Sequence, residues 1–381
     1  MRVLMINVVC GIRSTGRICT DLAIELEKQG HEVKIAYGRE QVPSQFMKYA
    51  IRVGSKFDLL VHGIQGRMFD QCGFGSKKAT LEFIKWAEIY NPDMLWLHNL
   101  HGYYINIPIL FKWIKSRPSM KVQWTLHDCW AFTGHCAYFA MANCYKWKKQ
   151  CEHCPEKHSY PKTVWIDHSR KNYLIKKDTF LNVKNMLLIV PSEWLASHVK
   201  NSFLSAYPIE VRYNSVDTKI FKKTESNFRK KHNLQDKIVV LGVAAIWDKR
   251  KGLDDFIKLA KLLDVKYCII LVGLNKKQIK KLPGNIIGIE KTDNSYELAK
   301  IYSAADIFVN PSKEETFGMT TVEAELCGTP AIVYKDTACE EIVKKTGGIA
   351  VEQNVSAIYN AIVRMKLDEK ITNISIDTNI K

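Results

Sequence analysis

Two glutamates eight residues apart, Glu315 and Glu323, are the residues in the segment 310–324 whose type and spacing could do chemistry. The segment has the pattern of a strand end, a turn that contains Gly318, and the first turns of a helix. Backbone N–H groups at a helix start bind phosphate well, and carboxylates accept hydrogen bonds from sugar hydroxyls. The pattern therefore predicts a site for phosphate and sugar groups, with one carboxylate on a transferred sugar and one on a ribose. The alternative is a capped helix that carries two solvated glutamates.

A second group of candidate ligands is formed by cysteines. Four of them are spaced Cys136-x7-Cys144-x6-Cys151-x2-Cys154, and the Cys-x2-Cys end suits a tetrahedral zinc ion. The expected site is structural, because four thiolates would leave no open position for catalysis. The alternatives are buried thiols that pack as small hydrophobic side chains, or a redox-labile pair. The odd total of 11 cysteines also indicates a reducing compartment.

These side chains must be positioned by strands and helices, and apolar strands alternate with amphipathic helices along the chain. That alternation predicts an α/β protein with two Rossmann-like, doubly wound domains. The first domain is expected at 1–210, with its first helix at Ile18–Gln29 and a Cys-rich insert at 129–160. The second domain is expected at 211–366, and a polar tail follows at 367–381. A length of 381 residues fits two domains, at roughly 100–200 residues per domain.

The composition is that of a globular protein, with 46% hydrophobic and 25% charged residues. It excludes a disordered chain, a collagen-like chain and a small disulfide scaffold. The first ten residues contain one arginine, and no small-x-small cleavage site follows them. We therefore interpret this segment as a first β-strand and not as a signal peptide, and we expect a cytoplasmic location.

The net charge of +17 is divided unevenly, since residues 1–200 contribute +12 and residues 201–381 contribute +5. An excess on one half indicates an anionic partner there, such as a phospholipid surface, a phosphorylated lipid or a nucleic acid. A nucleic acid would need a continuous basic stripe with interleaved aromatic residues, and Lys146–Lys149 is the only local hint. We therefore expect no nucleic-acid partner. The alternative to any anionic partner is a solvated, lysine-rich surface.

The dinucleotide-binding pattern G-x-G-x-x-G and the P-loop ending G-K-[ST] are both absent, which argues against a dehydrogenase and an ATPase. The glutamate pair instead follows Ala305–Ser312 and precedes Gly328–Pro330, and this block resembles the retaining GT-B glycosyltransferases of family 4. The resemblance covers nearly the whole chain and includes shorter motifs at Gly30–Val33, His127-Asp128, Pro191-Ser192, Asn214–Asp217 and Lys251-Gly252. The Cys-rich insert is similar to that of bacterial capsule, O-antigen and colanic-acid-type transferases.

The resemblance implies a GT-B enzyme in which two Rossmann-like domains face each other across a cleft. It implies a retaining glycosyltransferase of the hexosyltransferase type, which moves a sugar from a nucleotide-diphosphate sugar to a hydroxyl group. The acceptor would be a glycan, free or linked to polyprenyl diphosphate, in bacterial surface polysaccharide synthesis. No cofactor is implied for catalysis, since in this family the leaving phosphate is usually thought to take the acceptor proton.

The same resemblance implies a role for each candidate site residue. Glu323 would hold the ribose, Glu315 would hold the donor sugar, and His127 would bind that sugar from the opposite domain. Glu315 and His127 are therefore the catalytic candidates, although His127 could also be an ordinary hydrogen-bonded histidine at a strand end. Gly16 and Arg17 would meet the donor phosphates or the acceptor, and plain helix capping is the alternative for their loop.

Positive potential for the diphosphate would come from Arg250, Lys251 and the helix start. The donor-binding candidates at that helix start are Phe317, Gly318, Met319 and Thr320. Ile246 stands where the family usually has an arginine, and Arg250 is the candidate replacement for the missing charge. The Asp254-Asp255 pair is predicted to be solvated helix surface rather than a metal site.

A lipid-linked acceptor and the charge excess together predict a protein that is peripheral at the inner face of the cell membrane. Three aromatic residues of the basic half, Trp113, Trp147 and Trp165, could lie at the headgroup level if they are exposed. The rival interpretations are another GT-B nucleotide-sugar enzyme of the epimerase type, a basic nucleic-acid-binding protein and a non-enzymatic structural module.

Overall fold

The structure is a computed structural model that describes residues 1–367. It divides into two compact units, Met1–Arg212 and a second unit that begins at Tyr213. The division lies two residues from the boundary predicted at 210/211. The predicted polar tail at 367–381 lies outside the described residues except for its first position. No helix within residues 1–367 is long and apolar enough to cross a membrane.

The first unit is built on a parallel sheet of seven strands: β1 (Arg2–Asn7), β2 (Glu32–Tyr37), β3 (Ala50–Arg52), β4 (Met94–Leu97), β5 (Lys121–Thr125), β6 (Met186–Val190) and β7 (Ile209–Val211). Their order across the sheet is β3-β2-β1-β4-β5-β6-β7. Arg2 lies opposite Glu32 of β2, and Val3 lies opposite Met94 of β4. The central strands are almost continuously apolar because helices cover both faces of a parallel sheet.

Six helices connect these strands: α1 (Arg13–Lys28), α2 (Lys56–Phe69), α3 (Lys77–Tyr90), α4 (Ile107–Lys115), α5 (Ser169–Phe180) and α6 (Glu193–Lys200). The predicted start of α1 at Ile18 is wrong, since the helix begins five residues earlier at Arg13. Gly16 is the reason, because its carbonyl accepts a 3.1 Å hydrogen bond from the Gly11 N–H. A Cβ at Gly16 would lie 3.0 Å from the Val9 side chain, so the glycine lets the first turn pack on the preceding loop.

The described part of the second unit contains a six-stranded parallel sheet: β8 (Ile238–Val243), β9 (Tyr267–Val272), β10 (Ile286–Ile289), β11 (Ile307–Asn310), β12 (Ala331–Tyr334) and β13 (Ile349–Val351). The strand order is β10-β9-β8-β11-β12-β13. Its helices are α7 (Phe228–Lys231), α8 (Leu253–Leu259), α9 (Lys276–Ile279), α10 (Ser295–Ala304), α11 (Met319–Leu326), α12 (Ala338–Thr346) and α13 (Val355–Leu367).

Both sheets are wound in the same way. In each unit the first strand lies at the centre, the second and third lie on one side of it, and the fourth, fifth and sixth lie on the other. This is the strand order of the Rossmann fold, and ligands bind such sheets where the order reverses, at the carboxyl ends of the strands. The switch points are between β1 and β4 and between β8 and β11. The prediction of two doubly wound α/β domains is confirmed.

The buried aromatic residues of the Cys-rich insert (129–160) are continuous with the main core of the first unit. Trp147 is buried there against Phe132 and Phe139, with ring centroids 5.0 and 4.9 Å away. Trp113 is also buried, in the main core of the first unit. The suggestion that these two tryptophans lie at a membrane headgroup level is therefore wrong, whereas Trp165 is exposed.

Two buried polar contacts fix the insert to the helices of the first unit. Lys176 of α5 donates hydrogen bonds to the carbonyl oxygens of Trp130 and Thr133 at 2.8 and 3.1 Å, and its ammonium lies 3.5 Å from the Trp130 ring centroid. Burial lowers the pKa of this lysine to about 8. The His135 ring pairs through Nδ1 with the carboxylate of Asp70, which ends α2, at 2.5 Å. The insert is thus held by directional contacts as well as by apolar packing.

Glu325 of α11 is a buried carboxyl, only 6% exposed, and among the described residues neither of its oxygens has a hydrogen-bond partner. Burial raises the pKa of Glu325 to about 7. The nearby Thr346 hydroxyl lowers this pKa slightly, but its own hydrogen bond goes to the Ile342 carbonyl at 3.1 Å. A Cβ at Gly348 would lie 2.8 Å from Glu325 Oε1, so the carboxyl points at the turn before β13. The folded chain therefore favours the protonated form of this residue.

We predict that Glu325 makes the folded state less stable as the pH rises. Its pKa is higher in the folded chain than in the unfolded chain, so its contribution is complete below about pH 4.5 and is lost as the pH passes about 7. In Glu325→Gln the free energy of unfolding should lose that dependence and exceed the wild-type value at pH 8 by on the order of 3 kcal/mol. Urea unfolding across this pH range measures the effect.

Glu290→Gln is the matched control, because Glu290 is an exposed glutamate of the same unit. It should follow the wild-type pH dependence. An unfolding free energy of Glu325→Gln that is equal to or below the wild-type value at pH 8 would contradict the prediction.

Candidate functional site

The carboxyl end of β11 is tied to α11 by Asn310. Its side-chain amide donates to the Thr321 hydroxyl at 3.0 Å, and its side-chain oxygen accepts from the Ser312 hydroxyl at 2.6 Å. All three side chains are buried. The conformation of the turn between the strand and the helix is therefore fixed by buried side-chain hydrogen bonds and does not depend on solvent-exposed contacts.

The start of α11 has the chemistry of an anion site. Gly318 precedes it with φ of 97°, and a Cβ there would clash with the Cys339 sulfur, so only glycine fits this turn. The first N–H groups of a helix, here those of Met319 and Thr320, have no partner within the helix, and no acidic residue lies in the first turn. Phe317 is buried beside them, 6.0 Å from the Tyr213 ring. The four predicted donor-binding positions, 317–320, are therefore brought together.

Lys251 and Glu315 form an ion pair between the loop after β8 and the loop after β11. The same two loops are joined by backbone contacts, since the Lys313 N–H donates to the Arg250 carbonyl at 2.9 Å and the Arg250 guanidinium donates to the Glu314 carbonyl at 3.1 Å. The candidate cations and one candidate carboxylate thus lie on one connected surface at the predicted switch point.

Glu315 is ionised in this surrounding. Burial of its carboxyl favours the neutral form, but the charges of Lys251 and Arg250 outweigh burial and lower its pKa below the ordinary value. The lysine predicted to bind phosphate and the glutamate predicted to bind the sugar are therefore partners of each other. Arg250 lies close enough to act on the same carboxylate. Its role in place of the arginine that the family usually has at position 246 stays a prediction.

Glu323 lies on the second turn of α11 and is half-buried. Its Oε2 accepts a 2.9 Å hydrogen bond from the hydroxyl of Tyr302, a buried residue of α10. The tyrosine fixes the direction of the carboxylate, which is what a residue that binds two ribose hydroxyls would need. The sequence did not predict the role of Tyr302, because a single tyrosine in a helix gives no indication of which residue its hydroxyl will contact.

Asp255 contradicts the prediction of a solvated Asp254-Asp255 pair. It is buried and accepts a 3.0 Å hydrogen bond from the Tyr334 hydroxyl, with the Lys313 ammonium at 3.6 Å. Asp254 is exposed, as expected. Asp255 therefore holds the start of α8 against β12 and the β11 loop, next to Gly252. That glycine has φ of 75°, and a Cβ on it would lie 2.5 Å from the Pro311 carbonyl oxygen.

In the first unit, His127 follows β5 and is in contact with His98, which follows β4. Nδ1 of His98 and Nε2 of His127 are 3.0 Å apart, and the two rings are stacked with centroids 5.3 Å apart. Burial lowers the pKa of His127 to about 4 and lowers that of His98 well below its ordinary value. Both imidazoles are therefore neutral near pH 7, with one N–H between the two facing nitrogens.

A second buried network lies beside these histidines. His101 pairs with Asp128 at 2.8 Å through Nε2 and with the Tyr160 hydroxyl at 2.9 Å through Nδ1. Asp128 also accepts from the Trp130 N–H at 2.9 Å, so it shapes the turn that carries His127. Burial works to raise the pKa of Asp128, but the charge and hydrogen bond of His101 outweigh it and lower that pKa.

The loop after β1 is organised by Asn7, which is fully buried. Its amide donates to the Val9 carbonyl at 2.8 Å, and its oxygen accepts from the Asn99 N–H at 3.2 Å, across to the loop after β4. Gly16 is buried in the first turn of α1, and Arg17 is exposed on the same turn. Phosphate or acceptor binding by these two residues stays a prediction.

The predicted zinc ligands lie in the insert, where the Cys136 and Cys154 side chains are hydrogen-bonded to each other. Cys136 and Cys151 are buried, and Cys144 and Cys154 are partly buried. Within residues 1–367, no three His, Cys, Asp or Glu side chains are placed so that they could hold a metal ion together. Zinc at Cys136, Cys144, Cys151 and Cys154 therefore stays a prediction.

Residues 224–379 match the family described as Glycosyl transferases group 1. Over 369 residues the chain is 24% identical to the "Putative colanic acid biosynthesis glycosyl transferase WcaC" of Escherichia coli strain K12, and the match covers 93% of this chain and 88% of that protein. The O-antigen biosynthesis glycosyltransferase WclY of Escherichia coli is 30% identical over 138 residues, which are 34% of this chain and 38% of that protein.

Solved structures share the fold. Sucrose-phosphate synthase from Thermosynechococcus elongatus has a TM-score of 0.71 at 17% identity and covers 100% of this chain and 92% of its own. WaaG, a glycosyltransferase involved in lipopolysaccharide biosynthesis, has a TM-score of 0.63 at 15% identity and covers 97% and 93%. The structures establish the fold, and the family match with the sequence relatives establishes the enzyme class. The predictions of a GT-B fold and of a glycosyltransferase are therefore confirmed.

The zinc prediction is tested by metal analysis of protein purified under reducing conditions. If Cys136, Cys144, Cys151 and Cys154 are ligands, the protein should carry about one Zn²⁺ per chain and unfold at a lower temperature after chelation, because the free energy of metal binding adds to the stability of the folded chain. Cys154→Ser should lose the metal, whereas Cys268→Ser, which changes a cysteine of the second unit, should keep it. A metal-free protein whose stability does not respond to chelation would leave the thiols as packing groups.

Proposed function

We propose that this glycosyltransferase moves a sugar, with retention of configuration, from a nucleotide-diphosphate sugar to a hydroxyl of a lipid-linked glycan in bacterial surface polysaccharide synthesis. The observation that carries the proposal is the connected surface at the β8–β11 switch point. There the ion pair of Lys251 and Glu315, the start of α11 and the Tyr302-held carboxylate of Glu323 lie on adjoining loops and helices.

The donor diphosphate would lie at the start of α11. Its negative charge would be stabilised by the backbone N–H groups of Met319 and Thr320, by the helix dipole, and by Lys251 and Arg250. Charge stabilisation on the leaving group needs no metal ion in this arrangement, because the cations come from the chain itself. An acceptor hydroxyl would attack on the face that the diphosphate leaves, and a phosphate oxygen would take its proton.

The two carboxylates would recognise the two ends of the donor. Glu323, oriented by Tyr302, would accept hydrogen bonds from ribose hydroxyls. Glu315 would accept from hydroxyls of the transferred sugar, since its pairing with Lys251 keeps it ionised and an ionised carboxylate has about four lone-pair sites. His127 would hydrogen-bond the same sugar as a neutral imidazole, with its ring direction set by His98.

A lipid-linked glycan is supported by the first unit and by the relatives. A cavity of about 820 Å³ lies at the carboxyl ends of β2 and β3, and its lining includes Tyr37, two cations, Arg52 and Lys56, and one acid, Glu40, which pairs with Arg13. The two cations suit a diphosphate-bearing glycan. The relatives are named for colanic acid and O-antigen biosynthesis, which supports a surface polysaccharide. The enzyme would then be cytoplasmic and peripheral at the inner face of the cell membrane.

Substitution of the two carboxylates tests the site. In Glu323→Gln the KM for the donor should rise by roughly ten- to hundredfold, because a hydrogen bond to a charged group is lost. In Glu315→Gln the kcat should fall by roughly tenfold or more, because the sugar contact and the local charge balance both change. Steady-state transfer and calorimetry with UDP- and GDP-sugars measure both effects.

Asp254→Asn is the matched control for these variants, because Asp254 is an exposed acid of neighbouring helix α8. It should leave transfer and donor affinity unchanged. Activity near the wild-type level in both glutamate variants would reject the assignment of this site.

The state of His127 is tested by the pH dependence of kcat/KM for transfer. Because burial lowers its pKa to about 4, this imidazole should stay neutral and active from neutral pH down to about pH 5, and protonate only below that. His127→Asn, which keeps one donor and one acceptor, should retain more activity than His127→Ala. A loss of activity in the wild type that is centred near pH 6.5 and disappears in His127→Asn would contradict a neutral His127.

A further inference from the structure

Helix α2 has its apolar stripe on the outside of the protein. Phe57, Leu60 and Ile64 are 72%, 60% and 53% exposed, and Val61 is exposed beside them. At 3.6 residues per turn these four positions fall within about 100° of the helix circumference. A surface helix normally turns such a stripe toward the core. Here it faces solvent.

The orientation of α2 is fixed by its buried side. His62 is fully buried, with Nδ1 2.8 Å from the Ser76 hydroxyl and Nε2 accepting from the N–H groups of Gly73 and Gly75 at 3.2 and 3.1 Å. Gly66 packs so closely on the Tyr103 ring that a Cβ would clash with it. The helix cannot rotate its apolar stripe inward without breaking these contacts.

A neighbouring segment extends the apolar surface. The N–H of Val164 donates to the Arg67 carbonyl at 2.7 Å and the N–H of Ile166 to the Met68 carbonyl at 3.3 Å, so residues 164–166 lie along the end of α2. Trp165 between them is 63% exposed. We call the exposed apolar residues together the α2 patch; its members are Phe57, Leu60, Val61, Ile64, Val164, Trp165 and Ile166.

The rim of the α2 patch is basic. The exposed cations on α2, at the start of α3 and before Val164 are Lys56, Arg67, Lys77, Lys78 and Lys162. Asp58, the acidic residue of α2, is engaged in the helix cap with Ser55. A cavity of about 400 Å³ between α2 and α3 opens beside the patch, and its lining includes Phe57, Val61, Lys77 and Lys78. Exposed cations therefore border the exposed apolar residues of this face.

We infer that the α2 patch is the surface by which this enzyme docks on an anionic lipid bilayer. Apolar side chains on a helix that lies in the membrane plane enter the boundary between headgroups and acyl chains, and a basic rim binds anionic headgroups. Trp165 suits that boundary because its ring is apolar with one polar edge. A second copy of this chain is disfavoured as the occupant, because two such faces would bring their basic rims together.

The inference rests on the proposed lipid-linked acceptor, and it indicates where that acceptor would reach the enzyme. Lys56 belongs both to the rim of the α2 patch and to the 820 Å³ cavity proposed for the acceptor glycan. Docking through the patch would therefore bring that cavity to the bilayer surface. The lysines of the run Lys146–Lys149 are exposed, but Trp147 between them is buried, so this run offers positive charge without an exposed apolar side chain.

Sedimentation of the full-length protein with vesicles tests the inference. The probes are phosphatidylcholine vesicles with and without phosphatidylglycerol, at low and high salt. The wild type should bind the phosphatidylglycerol vesicles and be released as salt rises. The triple variant Phe57→Gln, Leu60→Gln, Ile64→Gln should bind at least roughly tenfold more weakly, since its apolar contacts are lost. Lys77→Gln with Lys78→Gln should reduce binding and its salt dependence.

Ile89→Gln with Val265→Gln is the matched control, because these apolar side chains are 83% and 82% exposed but lie outside the α2 patch. The control should bind as the wild type does. All variants should keep the wild-type unfolding temperature and affinity for the nucleotide sugar, which separates docking from the transfer site. Failure of donor binding in the wild type would reject the proposed function and leave the vesicle result standing.

The inference is overturned if the triple variant binds anionic vesicles as tightly as the wild type, or if the wild type binds anionic and neutral vesicles equally poorly at low salt. A concentration-dependent dimer in sedimentation velocity that the triple variant abolishes would assign the patch to a second copy instead.

Discussion

The ion pair of Lys251 and Glu315 is the contact on which the second unit's site depends. It joins the loops that leave the first and fourth strands of the sheet, at the point where the strand order reverses. Removing Glu315 would leave the mostly buried ammonium of Lys251 without this partner, which costs more than the net value of the pair, whereas Glu315 would still have the charge of Arg250 nearby if Lys251 were removed. Gly252 serves the same junction, because a Cβ there would clash with Pro311 of the β11 loop, whereas Gly318 lets the start of α11 pack closely on Cys339 of α12.

This pairing changes how a phosphate would be bound. A diphosphate that approaches Lys251 meets a cation already paired with Glu315, and Arg250 acts on the same carboxylate, so the N–H groups at the start of α11 supply a larger share of the attraction. The lysine then acts through its remaining N–H donors rather than as a free charge. Such an arrangement is built before the ligand arrives, and little reorganisation is needed when charge develops on the leaving group.

The sequence predicted those features that depend on local pattern. The alternation of strands and helices predicted both Rossmann-like units, and the E-x7-E spacing predicted that Glu315 and Glu323 border one helix start. It missed Tyr302 and the burial of Asp255, because each depends on a partner in an element that is distant along the chain. The pattern also predicts the start of α1 too late, because a glycine such as Gly16 is more typical of a loop than of a first helical turn. Whether a glycine ends a helix or packs inside one is decided by its neighbours in space.

The same reasoning explains why the exposure of α2 could not be predicted. Phe57, Leu60 and Ile64 have the spacing of a core-facing stripe, and pattern alone would bury them. The first unit has a large core in which such side chains could be buried, since it encloses Trp113, Trp147 and a fully buried Lys176. The helix faces outward because His62 and Gly66 hold its other side. A buried histidine with three hydrogen-bond partners therefore sets the orientation of α2. The apolar stripe lies on the surface because the opposite side of the helix is the side that is held.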